Sequence, residues 1–79
     1  MTQSRPESIG NRIKRLRDQL VITQVELSII SGVPLPTIKD IERGATPIPR
    51  VKTLRALARV FRVSASYLRN GDALFDTRQ

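Results

Sequence analysis

Apolar residues recur along this chain at helical spacing, and the polar residues between them supply starts and stops. In Ile9-Gly-Asn-Arg-Ile13-Lys-Arg-Leu16-Arg-Asp-Gln-Leu20 the apolar positions repeat at i, i+4, i+7 and i+11, one stripe of an amphipathic helix. Arg12, Lys14, Arg15 and Arg17 are assigned to its other faces. The start is open between two signals: Ser4, which has a Ser-x-x-Glu spacing to Glu7, and Ser8, directly before the stripe. Thr23-Gln-Val-Glu26 is a further capping box and predicts a short helix from Gln24 to Ser31. Gly32 supplies its left-handed stop, with Val33 placed to pack back on the core. A third helix is predicted over Leu35 to Arg43, with Ile38 and Ile41 on its inner face and Gly44 as its stop. Pro34 and Pro36 fit only at the very start of that helix, where a missing N–H costs nothing.

Ala45-Thr-Pro-Ile-Pro49 reads as a stiff linker. Beyond it Val51, Leu54, Leu57, Ala58 and Phe61 mark a fourth helical face, with Arg50, Lys52, Arg55, Arg59 and Arg62 around the rest. Ser64 as N-cap, Tyr67 and Leu68 as buried members and Asn70-Gly71 as C-cap signal a fifth helix. No segment alternates with period two long enough to make a strand. The expectation is an all-α, five-helix unit over residues 9–71, flanked by an arm (1–8) and a tail (72–79). Its core is drawn from Ile9, Ile13, Leu16, Leu20, Leu27, Ile38, Ile41, Leu54, Leu57, Phe61, Val63 and Leu68.

Composition narrows the function classes. The 79 residues include 14 Lys/Arg against 7 Asp/Glu, no His and no Cys, giving a net charge of +7 and a pI near 11.4. Without His or Cys there is no disulfide, zinc site, thiol nucleophile or imidazole base, so catalysis would rest on carboxylates and lysines. Asp40 and Glu42, two apart on a helix, diverge and make a poor acid/base pair, so an enzyme is not expected, nor a metal or other cofactor. No apolar run approaches a membrane span, and the first residues lack the apolar core of a signal peptide, so a cytoplasmic location is expected. The basic excess points to a polyanion, nucleic acid ahead of a membrane surface.

Two short helices joined through Ser31-Gly32-Val33-Pro34 are the sequence form of a helix-turn-helix. The string Thr-Gln-x-Glu-Leu, Gly-Val, Thr-Ile-x-x-Ile-Glu-Arg-Gly, Pro-x-Val-x-Thr-Leu-x-x-Leu-Ala and Val-Ser-x-x-Tyr-Leu-x-x-Gly occurs in order. Over residues 9–71 it resembles the phage lambda repressor and Cro type of helix-turn-helix domain, the Xre family. The resemblance implies a double-stranded DNA-binding regulator, encoded by a bacterium or phage, found at the nucleoid and dimeric on a pseudo-palindromic operator. Half-sites would then lie about 34–36 Å apart. Small repressors, restriction-modification controllers and antitoxins all fit that description.

The resemblance also distributes roles. The third helix would lie in the major groove, with base-reading positions at Leu35, Pro36, Thr37 and Asp40 and Lys39 alongside. Leu35 and Pro36 depart from the polar residues usual there and offer only apolar contact, whereas Asp40 can accept from a cytosine amino group. The N-terminus of the second helix, with Thr23 and Gln24, would meet a phosphate. Arg43, Thr46 and Arg50 would run beside the backbone. Arg17 and Glu42 match a family pair that joins two helices and are assigned a structural role. Lys52, Arg55, Arg59 and Arg62 form a basic stripe suited to long-range steering. Val25 and Ile29 stand where charged residues are more usual, so with Phe75 in the tail they suggest a protein contact. A rival reading keeps the fold as a protein-interaction module, for example toward a toxin, with base reading lost.

Overall fold

The computed structural model describes residues 7–71 and contains five helices in the order α1 (Ile9–Gln19), α2 (Gln24–Ser31), α3 (Leu35–Glu42), α4 (Val51–Phe61) and α5 (Ala65–Asn70). Residues 1–6 and 72–79, and with them Phe75, lie outside the described residues. Ser8 rather than Ser4 starts α1: its hydroxyl accepts from the Asn11 N–H at 3.1 Å. Both halves of the Thr23/Glu26 capping box are made, Glu26 N–H to Thr23 Oγ1 at 3.0 Å and Thr23 N–H to Glu26 Oε1 at 2.8 Å. Gly32 takes φ +80° as the left-handed cap of α2. The turn is then stitched by Ser28 Oγ donating to the Val33 carbonyl at 2.6 Å and the Val33 N–H donating to Ser31 Oγ at 3.1 Å. Pro34 is the N-cap of α3 and Pro36 its second residue. Ser64 caps α5 through the Tyr67 N–H at 2.9 Å.

These caps fix the helix ends, and packing fixes their angles. α1 rests on α3 and α5, α2 on α3 and α4, and α4 on α5. Ile13, Leu27, Ile38, Ile41, Leu57 and Leu68 are the large side chains removed entirely from water, each stabilising the fold by about 1.5–3 kcal/mol. Gly10 allows the tightest approach: a Cβ there would collide with the Ile41 carbonyl oxygen of α3.

Several expectations are corrected. Leu20, expected in the core, is 49% exposed because α1 ends at Gln19 and the chain turns away through Val21 at φ +57°. Val51 is also largely exposed, and Phe61 and Val63 are only half-buried against the core. Arg12, assigned to a polar face, is buried at 5% exposure. Its guanidinium donates to the Leu68 and Glu7 carbonyls, each at 2.8 Å, and lies 5.8 Å from the Tyr67 ring centroid. α3 stops at Glu42, with Arg43 as its C-cap rather than its last residue.

Candidate nucleic-acid interface

Ile38 and Ile41 anchor α3 to the core, which turns Pro36, Lys39 and Arg43 outward, with Asp40 partly exposed on the same side. The ridge is short and rigid. Leu35 and Thr37, expected on the reading surface, are half-buried at its N-terminal shoulder. Thr37 lines an open groove of about 790 Å³ together with Thr46, Pro49, Arg50, Lys52 and Thr53. The turn after α3 is tied down by the Asp40 carbonyl, which accepts from the Ala45 N–H at 2.8 Å and the Thr46 N–H at 3.2 Å. Thr46 and Arg50 thus sit on a fixed loop beside the ridge. Arg50 is the exposed N-cap residue of α4 and makes no side-chain cap bond.

The N-terminus of α2 carries competing demands. The Thr23 hydroxyl oxygen is occupied by the capping bond, and the Glu26 carboxylate sits over the first turn, which offsets part of the attraction of the helix dipole for an anion. Gln24 donates through Nε2 to Glu42 Oε1 at 3.0 Å. That ties one amide hydrogen to α3.

Behind the ridge, Arg17 grips Glu42 with a planar fork, Nε to Oε2 at 2.8 Å and Nη2 to Oε1 at 3.0 Å. A third bond runs from Arg17 Nη1 to the Ile22 carbonyl at 2.8 Å. The two side chains are 12% and 5% exposed. Hydrogen bonding and charge from Glu42, with Asp18 adding charge, raise the Arg17 pKa above its ordinary value. The fork holds the end of α3 to α1, and Glu42, through its bond from Gln24, ties it to α2 as well.

A second cluster holds the opposite end of α1. Glu7 accepts from Arg15 Nε at 2.8 Å and Nη2 at 2.9 Å, and Arg15 Nη2 also donates to the Tyr67 hydroxyl at 2.9 Å. The hydrogen bond from Arg15, then the charges of Arg15 and Arg12, lower the Glu7 pKa against the opposing effect of burial. Nothing in the apolar pattern singled out this cluster. Its one legible sign was Arg12 at i+3 from Ile9, on the flank of the buried stripe.

Val25, Ile29 and Ile30 are exposed on α2, Ile29 at 75%. Among the described residues no group of His, Cys, Asp or Glu is placed to hold a metal, and no helix is long and apolar enough to cross a membrane.

A helix-turn-helix family profile matches residues 13–68. The HTH-type transcriptional repressor RghR of Bacillus subtilis (strain 168) is 32% identical over 57 residues, covering 72% of this chain and 42% of the relative. The chain thus spans less than half the length of that repressor. Among solved structures, the P22 c2 repressor in complex with synthetic operator 9T superposes with a TM-score of 0.76 at 35% identity, covering 84% of this chain and 98% of the other. The N-terminal DNA-binding domain of SinR from Bacillus subtilis gives 0.74 at 28% identity, covering 90% and 96%. The capped α2, the left-handed turn at Gly32 and the outward ridge of α3 are thus elements of a shared fold, and the chain belongs to the helix-turn-helix family of the Xre, lambda repressor-like type.

Proposed function

We propose that the chain is a sequence-specific double-stranded DNA-binding transcriptional regulator, a repressor, that inserts α3 into the major groove. The observation that carries this reading is the α3 ridge: an outward face of Lys39, Asp40 and Arg43 on a helix locked from behind by Ile38, Ile41 and the Arg17–Glu42 fork. Thr46 and Arg50 stand beside it on a loop fixed to Asp40, placed to grip phosphates as the groove is entered. Thr23 and the free amide hydrogen of Gln24 add a contact at the N-terminus of α2. The operator-bound relative supports double-stranded DNA as the partner. By the symmetry of such complexes the chain acts as a homodimer on a pseudo-palindromic site, in the cytoplasm at a bacterial nucleoid.

Titrating duplex binding against salt tests the reading. Arg50→Ala should weaken binding about equally for all sequences and reduce the salt slope by about 1, the loss of one phosphate contact. An unchanged slope and affinity would remove Arg50 from the interface and favour the second reading. That reading, a protein-interaction module binding a partner such as a toxin, is supported by the exposed Val25, Ile29 and Ile30 on α2.

A further inference from the structure

Asp40 and Arg43 lie three residues apart on the exposed face of α3 and are joined in the free protein. Arg43 donates from Nε at 3.1 Å and from Nη2 at 2.9 Å, both to Asp40 Oδ1. The side chains remain 45% and 68% exposed, so the pair stands on the surface rather than beneath it. What it leaves unused is specific. Asp40 Oδ2 has no partner among the described residues, nor does the outer edge of the guanidinium formed by Nη1 and the second Nη2 hydrogen. Asp40 is itself braced, because its carbonyl holds the Ala45 and Thr46 N–H groups. Helical side chains lean toward the N-terminus, so Arg43 reaches back over Asp40 and along the ridge.

We infer that Asp40 and Arg43 act as one composite reading group whose preferred target is a C·G base pair. The inference rests on the DNA-binding reading above and assigns Arg43 to a base edge rather than to a strand. A C·G pair shows the major groove one amino donor, cytosine N4, beside two acceptors, guanine O6 and N7. The composite shows the complement: Oδ2 accepts, and the free guanidinium edge donates two parallel bonds. An A·T pair offers no two adjacent acceptors for that edge. Pairing also removes the obstacle to an acid in the groove. A lone Asp40 carboxylate is repelled by the phosphates, whereas Asp40 joined to Arg43 carries no net charge and contributes direction instead of attraction.

The test is selection from a randomised duplex library by the wild-type chain and by Asp40→Asn and Arg43→Met, with far-UV circular dichroism confirming that each is folded. The wild type should enrich C·G at one position per half-site. Arg43→Met should lose discrimination there by about tenfold or more, and Asp40→Asn should alter preference at the same position, with every other position unchanged. Replacing the selected guanine by 7-deazaguanine, which lacks the N7 acceptor, should weaken the wild type and leave Arg43→Met unaffected. An Arg43→Met variant that selects the wild-type sequence, with uniformly weaker binding and a salt slope smaller by about 1, makes Arg43 a strand contact and overturns the inference alone. A wild-type chain that binds no duplex in a salt-dependent way overturns the DNA reading and this inference with it.

Discussion

The Arg17–Glu42–Gln24 network predicts an asymmetric cost of removing its members. Arg17→Met keeps much of the side-chain volume but leaves Glu42, 5% exposed, with a single remaining bond from Gln24 Nε2 at 3.0 Å. Removing one partner of a buried pair costs about 3–5 kcal/mol, and because Arg17 is 12% exposed the lower figure, about 3 kcal/mol, applies. Glu42→Gln is milder. Arg17 then keeps its bond to the Ile22 carbonyl at 2.8 Å, stays near Asp18 at 3.7 Å, and still meets an amide oxygen, so about 1–2 kcal/mol is expected. Replacing both residues by Met should cost less than the two single losses added together, since neither leaves a charge behind. In a domain this small each kcal/mol moves the melting temperature by about 4–8 °C, so Arg17→Met should melt about 12–24 °C lower. Thermal and urea melts followed by far-UV circular dichroism read this directly. An Arg17→Met variant within about 1 kcal/mol of wild type, or a Glu42→Gln variant costlier than it, refutes the account of how α3 is held.

Two further substitutions probe the packing at the N-terminal end of α1. Gly10→Ala raises helix propensity by about 1 kcal/mol, yet drives a methyl group into the Ile41 carbonyl oxygen and within 3.1 Å of the Glu42 carbonyl oxygen. The variant should therefore melt below wild type, and one that melts at or above it shows that α1 and α3 separate freely. Glu7, with a folded-state pKa below its usual value, contributes stability that is present above about pH 4.5 and lost as the pH falls further. Melts at stepped pH should show that loss in the wild type and a smaller one in Glu7→Gln.

Local signals made the five helices legible: capping boxes, glycine stops, and paired isoleucines on one face of α3. Each depends on residues within one turn of one another, so sequence spacing carries it. Leu20 shows where that ends. It continues the stripe of α1 by spacing, but the helix stops one residue earlier and the chain leaves through Val21 in a left-handed conformation, which no glycine advertises. Arg12 fails for the opposite reason, since one of the two carbonyls that make its burial tolerable belongs to Leu68, 56 residues away. On α3, the outward placement of Asp40 and Arg43 follows from their spacing against the buried Ile38 and Ile41, whereas the roles proposed for them rest on the family resemblance. Their mutual bond is an i,i+3 contact within reach of sequence reasoning, whereas the tie from Gln24 to Glu42 depends on how α2 meets α3.

The same geometry redistributes the charge that composition reports only as a sum. Glu7 is spent on Arg12 and Arg15, Asp18 and Glu42 on Arg17, Asp40 on Arg43, and Glu26 on the cap of α2. Among the described residues these are all the acids. Arg50, Lys52, Arg55, Arg59 and Arg62 have no ion-pair partner among the described residues. The largest group of uncompensated cations therefore lies on α4 and its two caps, next to the groove where Thr37, Arg50 and Lys52 meet, with Lys14, Lys39 and Arg69 unpaired singly, among the described residues, on α1, α3 and α5. The field of such a group reaches about 8–10 Å at moderate salt, far enough to orient an approaching duplex before any base is touched. Under the proposed DNA-binding function, attraction and reading fall to different residues. The unpaired cations of α4 would draw a duplex in, while Arg43 on the α3 ridge is held by Asp40 and would exchange charge for direction.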